Sequence, residues 1–207
     1  MRYPQIIILS VVAVVSAMFL SILMAQDKPG SCAVLAQLGQ PAPDFKLQDQ
    51  DGKQVSLAEF ANKFVVLEWV NPKCPFVQRH YQAKTFVTLD TKYKDQGVVW
   101  LAINSTNDAT PATNKAWTQK YALPYPILDD SAGVIGHAYN AKTTPDMFVL
   151  DKDHRLVYMG AIDDDPDGNK GDVRLNYVQR ALDELLAGKS VSISETKSYG
   201  CGVKFAK

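Results

Sequence analysis

The chain has 207 residues, enough for one domain with extensions, and its 22 basic and 22 acidic residues cancel to a formal charge of zero. That balance offers no broad basic field to hold a phosphate backbone, so no nucleic-acid partner is expected. With 46% hydrophobic and 21% charged residues, the composition is that of an ordinary globular protein, which excludes disordered and collagen-like chains.

The chain begins with an uncharged apolar run, Ile6–Met24, preceded only by the cation at Arg2. Its length lies within the ~17–25 residues that cross a bilayer as a helix and exceeds the ~7–15 residues usual for the core of a cleaved signal. Ala25 offers a small residue for a peptidase, but Leu23 two positions earlier is bulky. Residues 1–25 therefore read as a signal peptide or a membrane anchor, and both outcomes stay open. In either case Arg2 remains on the cytoplasmic side. The rest is expected outside the cytoplasm, in the periplasm or its equivalent, secreted after cleavage or tethered by the N-terminal helix. Membrane contact is expected only through that segment. Pro29, Gly30 and Ser31 lack the aliphatic residue expected three positions before a lipidated cysteine, so Cys32 is not read as a lipid anchor.

Residues 26–40 mix Pro, Gly, Ser and Ala without a period and read as a linker. The folded domain is expected over 41–190, followed by a C-terminal tail, 191–207. Phe45, Leu47, Val55 and Leu57 flank Asp51-Gly52, which predicts an opening hairpin. Phe64–Trp69 has the pattern of a strand covered on both faces, with Glu68 in its interior to be explained. After Cys74, apolar residues from Phe76 to Leu89 predict one long helix ending near Gly97, with Pro75 in its first turn. Val98–Ile103 reads as a second buried strand and Pro111–Tyr121 as a second helix, a βαβ alternation that favours a mainly parallel sheet. Met147–Leu150 and Leu156–Met159 form a hairpin pattern through Lys152-Asp153-His154. Tyr177 to Leu186 carries one apolar helical face, with Gly188 placed to end it.

A cysteine between a buried strand and a helix start sits among unpaired N–H groups and the positive end of the helix dipole, which favour its thiolate. Such sites lower thiol pKa from about 8.5 to roughly 3.5–7.5, and the thiolate is the attacking form. Lys73 is expected to add to the effect. A sulfur sealed in apolar packing with no opening to solvent would collapse this reading. The three cysteines, Cys32, Cys74 and Cys201, are an odd set, so at least one is free or pairs between chains.

Asn71-Pro72-Lys73-Cys74-Pro75-Phe76-Val77, Thr144-Pro145-Asp146 and Gly200-Cys201-Gly202-Val203-Lys204 together resemble the peroxiredoxin-like redoxin branch of the thioredoxin superfamily, over roughly Leu38 to the C-terminus. The resemblance implies a thioredoxin-like α/β fold, a central mixed sheet flanked by helices, with an N-terminal hairpin extension and a C-terminal tail. It matches Cys74 to the first cysteine of C-x-x-C and puts Val77 in place of the second. Thr144-Pro145 resembles the family's cis-proline loop, where an extended substrate pairs beside the active cysteine. Glu68 matches a buried acid that exchanges protons with the cysteine pair, and burial would raise its pKa. With Val77 unable to resolve a mixed disulfide, Cys201, flanked by two glycines in a tail expected to be flexible, is the first candidate and Cys32 the second. Thr144, Pro145, Pro75, Trp69 and Asn71 are the expected substrate-contacting residues, with Trp69 lining the approach to the thiol.

Peroxiredoxins carry Pro-x-x-x-Thr-x-x-Cys, and here those proline and threonine positions are Leu67 and Asn71. The resemblance therefore favours a thiol-disulfide oxidoreductase, Cys74 attacking and Cys201 resolving, over a peroxiredoxin-like thiol peroxidase. A non-catalytic binding module on the same fold is a third reading. Expected partners are protein or small-molecule thiols and disulfides, peroxides under the second reading, and a thiol-donating redox partner. No cofactor and no metal are expected: Asp163, Asp164, Asp165 and Asp167 do not match a calcium loop and read as solvated turn acids. His80 reads as a surface or partly packed histidine.

Overall fold

Neighbouring strands buried on both faces divide the core into two layers, because successive side chains of a strand point to opposite faces. In this computed structural model, which describes residues 35–207, Phe64, Val66 and Val70 pack with Cys74, Val77 and Trp100 on one face. Val65, Leu67 and Trp69 pack with Phe45, Ile103 and Phe148 on the other. The run Ile6–Met24, the rest of the leader and Cys32 lie outside the described residues. Among the described residues no helix is long and apolar enough to cross a membrane.

The elements in chain order are β1 (Lys46–Gln48), β2 (Gln54–Ser56), β3 (Phe64–Trp69), α1 (Pro75–Gln82), α2 (Thr85–Tyr93), β4 (Val98–Asn104) and α3 (Pro111–Tyr121). They continue with β5 (Ile127–Asp129), α4 (Val134–Ala138), β6 (Thr143–Thr144), β7 (Asp146–Leu150), β8 (Leu156–Gly160), α5 (Tyr177–Leu186) and β9 (Cys201–Gly202). One sheet has the order β2-β1-β5-β4-β3-β7-β8, and β6 pairs separately with β9. β3, β4 and β5 are parallel, β7 runs antiparallel to β3, and β8 runs antiparallel to β7. The hairpin β1–β2 joins antiparallel to β5 at Gln48↔Asp129. The sheet is thus mixed rather than mainly parallel, and the fold is the thioredoxin-like one, with the hairpin extending its β5 edge.

Several local signals act as read. Gly52 takes φ +81° in the opening hairpin, and Asp49 Oδ1 accepts from Asp51 N and Lys53 N to close it. α3 starts on Thr110, whose hydroxyl accepts from Thr113 N, with Pro111 in its first turn. α5 ends before Gly188 at φ +71°.

The long helix expected after Cys74 is two helices. The chain breaks at Lys84, which takes φ 56°. Tyr81 and Phe86 are both buried and meet edge to face with ring centroids 5.1 Å apart. Five residues on a straight helix span about 140° of arc, so one unbroken helix could not send both rings to the sheet. Burying a phenylalanine is worth roughly 1.5–3 kcal/mol, enough to offset a left-handed residue costing roughly 1–2 kcal/mol.

The tail is not a loose strand. Residues 194–196 hydrogen-bond to β8 through Met159 N to Ser194 O (3.0 Å) and Thr196 N to Met159 O (3.1 Å). Beyond them Thr144↔Cys201 and Thr143↔Gly202 pair as β6 and β9, and Asn107 N donates to Lys204 O at 2.7 Å. At the other end, Ala36 N donates to Ala138 O and Gly39 N to Leu156 O, each at 2.8 Å.

Candidate active site

β3 leaves the sheet at Trp69, and a turn built by Asn71 delivers Cys74 to the start of α1. Asn71 Oδ1 accepts from Lys73 N at 2.8 Å and its carbonyl from Cys74 N at 2.9 Å. Cys74 is the N-cap of α1, with extended backbone and Pro75 immediately after it. Asn71 is itself buried, so it shapes the turn, while Pro75 is exposed at the helix start.

The peptide bond between Thr144 and Pro145 is cis. It places the Thr144 carbonyl beside the thiol, which donates to that oxygen at 2.9 Å. Cys201 lies directly across the short ladder from Thr144. Cys74 and Cys201 are both free thiols.

Burial pushes the Cys74 thiol up, but hydrogen bonds from Cys201, the Thr144 side chain and the backbone N–H groups of Val77 and Cys201 together bring its pKa below the ordinary 9.0. The Val77 N–H is the helix-start donor that makes this position suit an anion. Cys201 moves the other way: burial, then the hydrogen bond and the charge of Cys74, push its thiol up to about 11. The pair is therefore polarised, with Cys74 the sulfur that ionises first and Cys201 the one that keeps its proton longer. Lys73 contributes nothing to this, because its ammonium reaches out to Asp108 in an exposed ion pair.

Cys74 is only 1% exposed. Its cover is made in part by its own chain's tail, and polar groups stand among its immediate partners, so it is enclosed without being sealed in purely apolar packing.

Glu68 lies on a strand buried along its whole length, two residues from Val66 and Val70 of the Cys74 layer. Its Oε2 accepts from Trp100 Nε1 at 2.8 Å and from Tyr125 Oη at 3.5 Å, and Oε1 has no partner. Burial raises its pKa to about 8, against the opposing hydrogen bonds of Trp100, Tyr81 and Tyr125. These contacts form an aromatic enclosure, and no direct hydrogen bond joins Glu68 to Cys74 in the described structure.

Trp69 is not on the approach to the thiol. The alternation of β3 turns it to the opposite face, 0% exposed, where it packs on Tyr139 and Phe148 and donates to Ser105 Oγ at 3.0 Å. His80 is also not a surface residue. It is buried, with Nδ1 3.4 Å from Thr85 Oγ1 and Nε2 2.9 Å from Tyr199 Oη. The aspartates expected to be solvated are built in as well. Asp163 and Asp165 are buried; Asp165 caps Asn169 N and Lys170 N, and Asp163 receives Asp165 N and Tyr199 Oη. Among the described residues no group of acids, histidines and cysteines is arranged to hold a metal ion. Tyr199 escaped the sequence reading; its one signal was an aromatic placed just before Gly200-Cys201.

The family model described as Redoxin matches residues 37–174. The chain is 29% identical over 128 residues to the thiol-disulfide oxidoreductase ResA of Bacillus thuringiensis subsp. konkukian, covering 58% of this chain and 68% of that one. It is 33% identical over 133 residues to the chloroplastic peroxiredoxin Q of Gentiana triflora, covering 58% of each. Among solved structures, a hypothetical protein of Sinorhizobium meliloti superposes with a TM-score of 0.75 at 34% identity, over 82% of this chain and 95% of that one.

Proposed function

Because the chain belongs to the redoxin family, and because its two thiols meet beside a cis-proline, we propose that it is a thiol-disulfide oxidoreductase with Cys74 as nucleophile and Cys201 as resolving thiol. The observation that carries this is the pairing of Thr144 with Cys201 across β6 and β9, on the residue whose carbonyl accepts from the Cys74 thiol. The Cys74 thiolate attacks one sulfur of a substrate disulfide, forming a mixed disulfide and releasing the other substrate sulfur as a thiolate. Cys201 then gives up its proton and attacks the Cys74 sulfur. The Cys74–Cys201 disulfide forms, the second substrate thiolate leaves, and two electrons have passed to the substrate. A dithiol partner returns the protein to its reduced form by the reverse exchange.

The low thiol pKa of Cys74 supports its role as attacker and good leaving group, and the raised pKa of Cys201 supports its role as proton donor to the departing sulfur. The site residues we assign are Cys74 and Cys201, with Thr144 and Pro145 forming the strand on which a chain pairs. Glu68 serves as a buried proton store in the same layer. The apolar run Ile6–Met24 supports an address outside the cytoplasm, where a disulfide cycle can operate. Mass mapping of the oxidised full chain, handled without reductant, should find a peptide pair joined through Cys74 and Cys201. A free Cys201 in that sample overturns the reading.

The coverage of Cys74 supports a second reading, since a small oxidant reaches an enclosed sulfur more easily than a folded polypeptide does. A peroxide would convert the Cys74 thiolate to a sulfenic acid with release of an alcohol or water. The Cys201 thiol would then condense with it, forming the disulfide and releasing one water. Stopped-flow mixing of reduced protein with hydrogen peroxide separates the two, because consumption no faster than by free cysteine removes the peroxidase.

A further inference from the structure

Two residues of backbone pairing are a slender hold for a chain end, since short isolated strand pairs are marginal in water. Yet the tail crosses the site with Cys201 placed on Cys74, and a side chain on either side of that cysteine is seated in the body of the domain.

On the near side is Tyr199. Its hydroxyl donates to Asp163 Oδ1 at 2.5 Å, which leaves the oxygen free to accept from His80 Nε2 at 2.9 Å. Burial holds the His80 pKa down at about 3, so the ring is neutral and carries one proton. The network assigns that proton to Nε2, with Nδ1 turned to Thr85 Oγ1 at 3.4 Å. Asp163 is held in turn by Arg174, whose Nε lies 3.3 Å from Oδ2. The Tyr199 ring rests against Phe76 of α1, with centroids 6.0 Å apart, and under the Arg79 guanidinium.

On the far side is Phe205. Its ring stacks on His137 of α4 at a centroid distance of 4.0 Å and an angle of 25°. Its seat exists because glycines stand at the N-cap of α4, Gly133, and at its third residue, Gly136. A Cβ at Gly133 would stand 2.8 Å from the Phe205 ring, and one at Gly136 2.5 Å from it. Between the two anchors Gly200 lets the main chain close on the cis-proline strand, since a Cβ there would stand 2.1 Å from Thr144 O.

We infer that Tyr199 and Phe205 are positioning residues for Cys201, the two ends of a clamp that lays the tail in the place where an external chain would pair beside Cys74. The clamp has two consequences. It gives Cys201 a high effective concentration at Cys74, and it keeps Cys74 covered until one anchor lets go. The first consequence rests on the proposed pairing of the two cysteines, whereas the second does not.

The test uses the full chain with Tyr199→Phe, which keeps the ring and removes the hydroxyl, and with Phe205→Ala. Each is read in two ways. In glutathione redox buffers, the equilibrium constant for the Cys74–Cys201 disulfide is expected to fall about tenfold in each variant. In a Cys201→Ser background, the rate of Cys74 alkylation by iodoacetamide is expected to rise by a similar factor. A purely structural role for either anchor would lower the melting temperature and move neither quantity. Both quantities unchanged in both variants overturns the clamp. If the parent chain forms no Cys74–Cys201 disulfide, the exchange mechanism falls, and the alkylation rates alone decide whether the clamp stands.

Discussion

Trp100 Nε1 and Glu68 Oε2 stand 2.8 Å apart inside the sheet, so a carboxyl shut off from water is held by an indole and not by a cation. Burial raises the Glu68 pKa from 4.5 to about 8. The folded protein thus keeps a proton that the unfolded chain releases near 4.5. Stability is therefore greatest below that value, falls as pH rises through the window up to about 8, and levels off above it. Glu68→Gln keeps an acceptor for Trp100 and has no charge to desolvate. It is expected to flatten this part of the profile and to stabilise the alkaline side by on the order of a few kcal/mol. Urea midpoints for both proteins from about pH 5 to about pH 9 check this, and two parallel profiles would refute it.

The polarisation of the two thiols makes a separate prediction. Cys74 should titrate below an ordinary thiol, and Cys201→Ala should move that titration upward, since it removes the S–H donor and leaves only backbone N–H groups and the Thr144 side chain. Thiolate absorbance in the ultraviolet, followed against pH, reads the shift. An unchanged midpoint would mean that the helix start alone sets the Cys74 pKa.

Gly200 is the point where the tail approaches the cis-proline strand most closely, at φ +129°. Gly200→Ala meets both a forbidden backbone region and the Thr144 carbonyl, so β9 must lift from β6. The expected result is slower formation of the proposed Cys74–Cys201 disulfide with little change in the far-ultraviolet circular dichroism of the domain. Disulfide formation at the parental rate would show that the close approach is dispensable.

Lys84, at φ 56°, joins α1 to α2 with an exposed side chain. Lys84→Gly removes the Cβ conflict of the left-handed region and loses some chain entropy in exchange. It is expected to stabilise the fold by about 0.5–1 kcal/mol, seen as a melting-temperature rise of a few degrees. A loss of stability would place the origin of the helix break elsewhere.

Much of the architecture was legible because it follows from short-range rules. The span of α3, the two hairpins and the end of α5 at Gly188 are encoded in periodicity, capping residues and turn glycines that act within a few positions. The placement of Cys74 at a strand-to-helix junction, with the chemistry this brings, belongs to the same class. The break at Lys84 was hidden, since apolar spacing alone does not say that Tyr81 and Phe86 must both reach the sheet. Trp69 was misjudged for a related reason. Alternation along β3 sets it opposite Glu68, but only the packed layers reveal which face carries the thiol.

The residue types of the site were set by the chain alone: a cysteine at a helix start, a proline that follows threonine, a second cysteine between glycines. Which of these meet was decided by the tertiary structure. Nothing local to Cys201 encodes its distance from Cys74. That distance comes from Tyr199 finding His80 and Asp163, from Phe205 finding the glycines of α4, and from Cys201 falling opposite Thr144. Contacts between residues far apart in sequence depend on how the intervening elements pack, and that packing minimises the free energy of the whole core at once, which no single window of sequence contains.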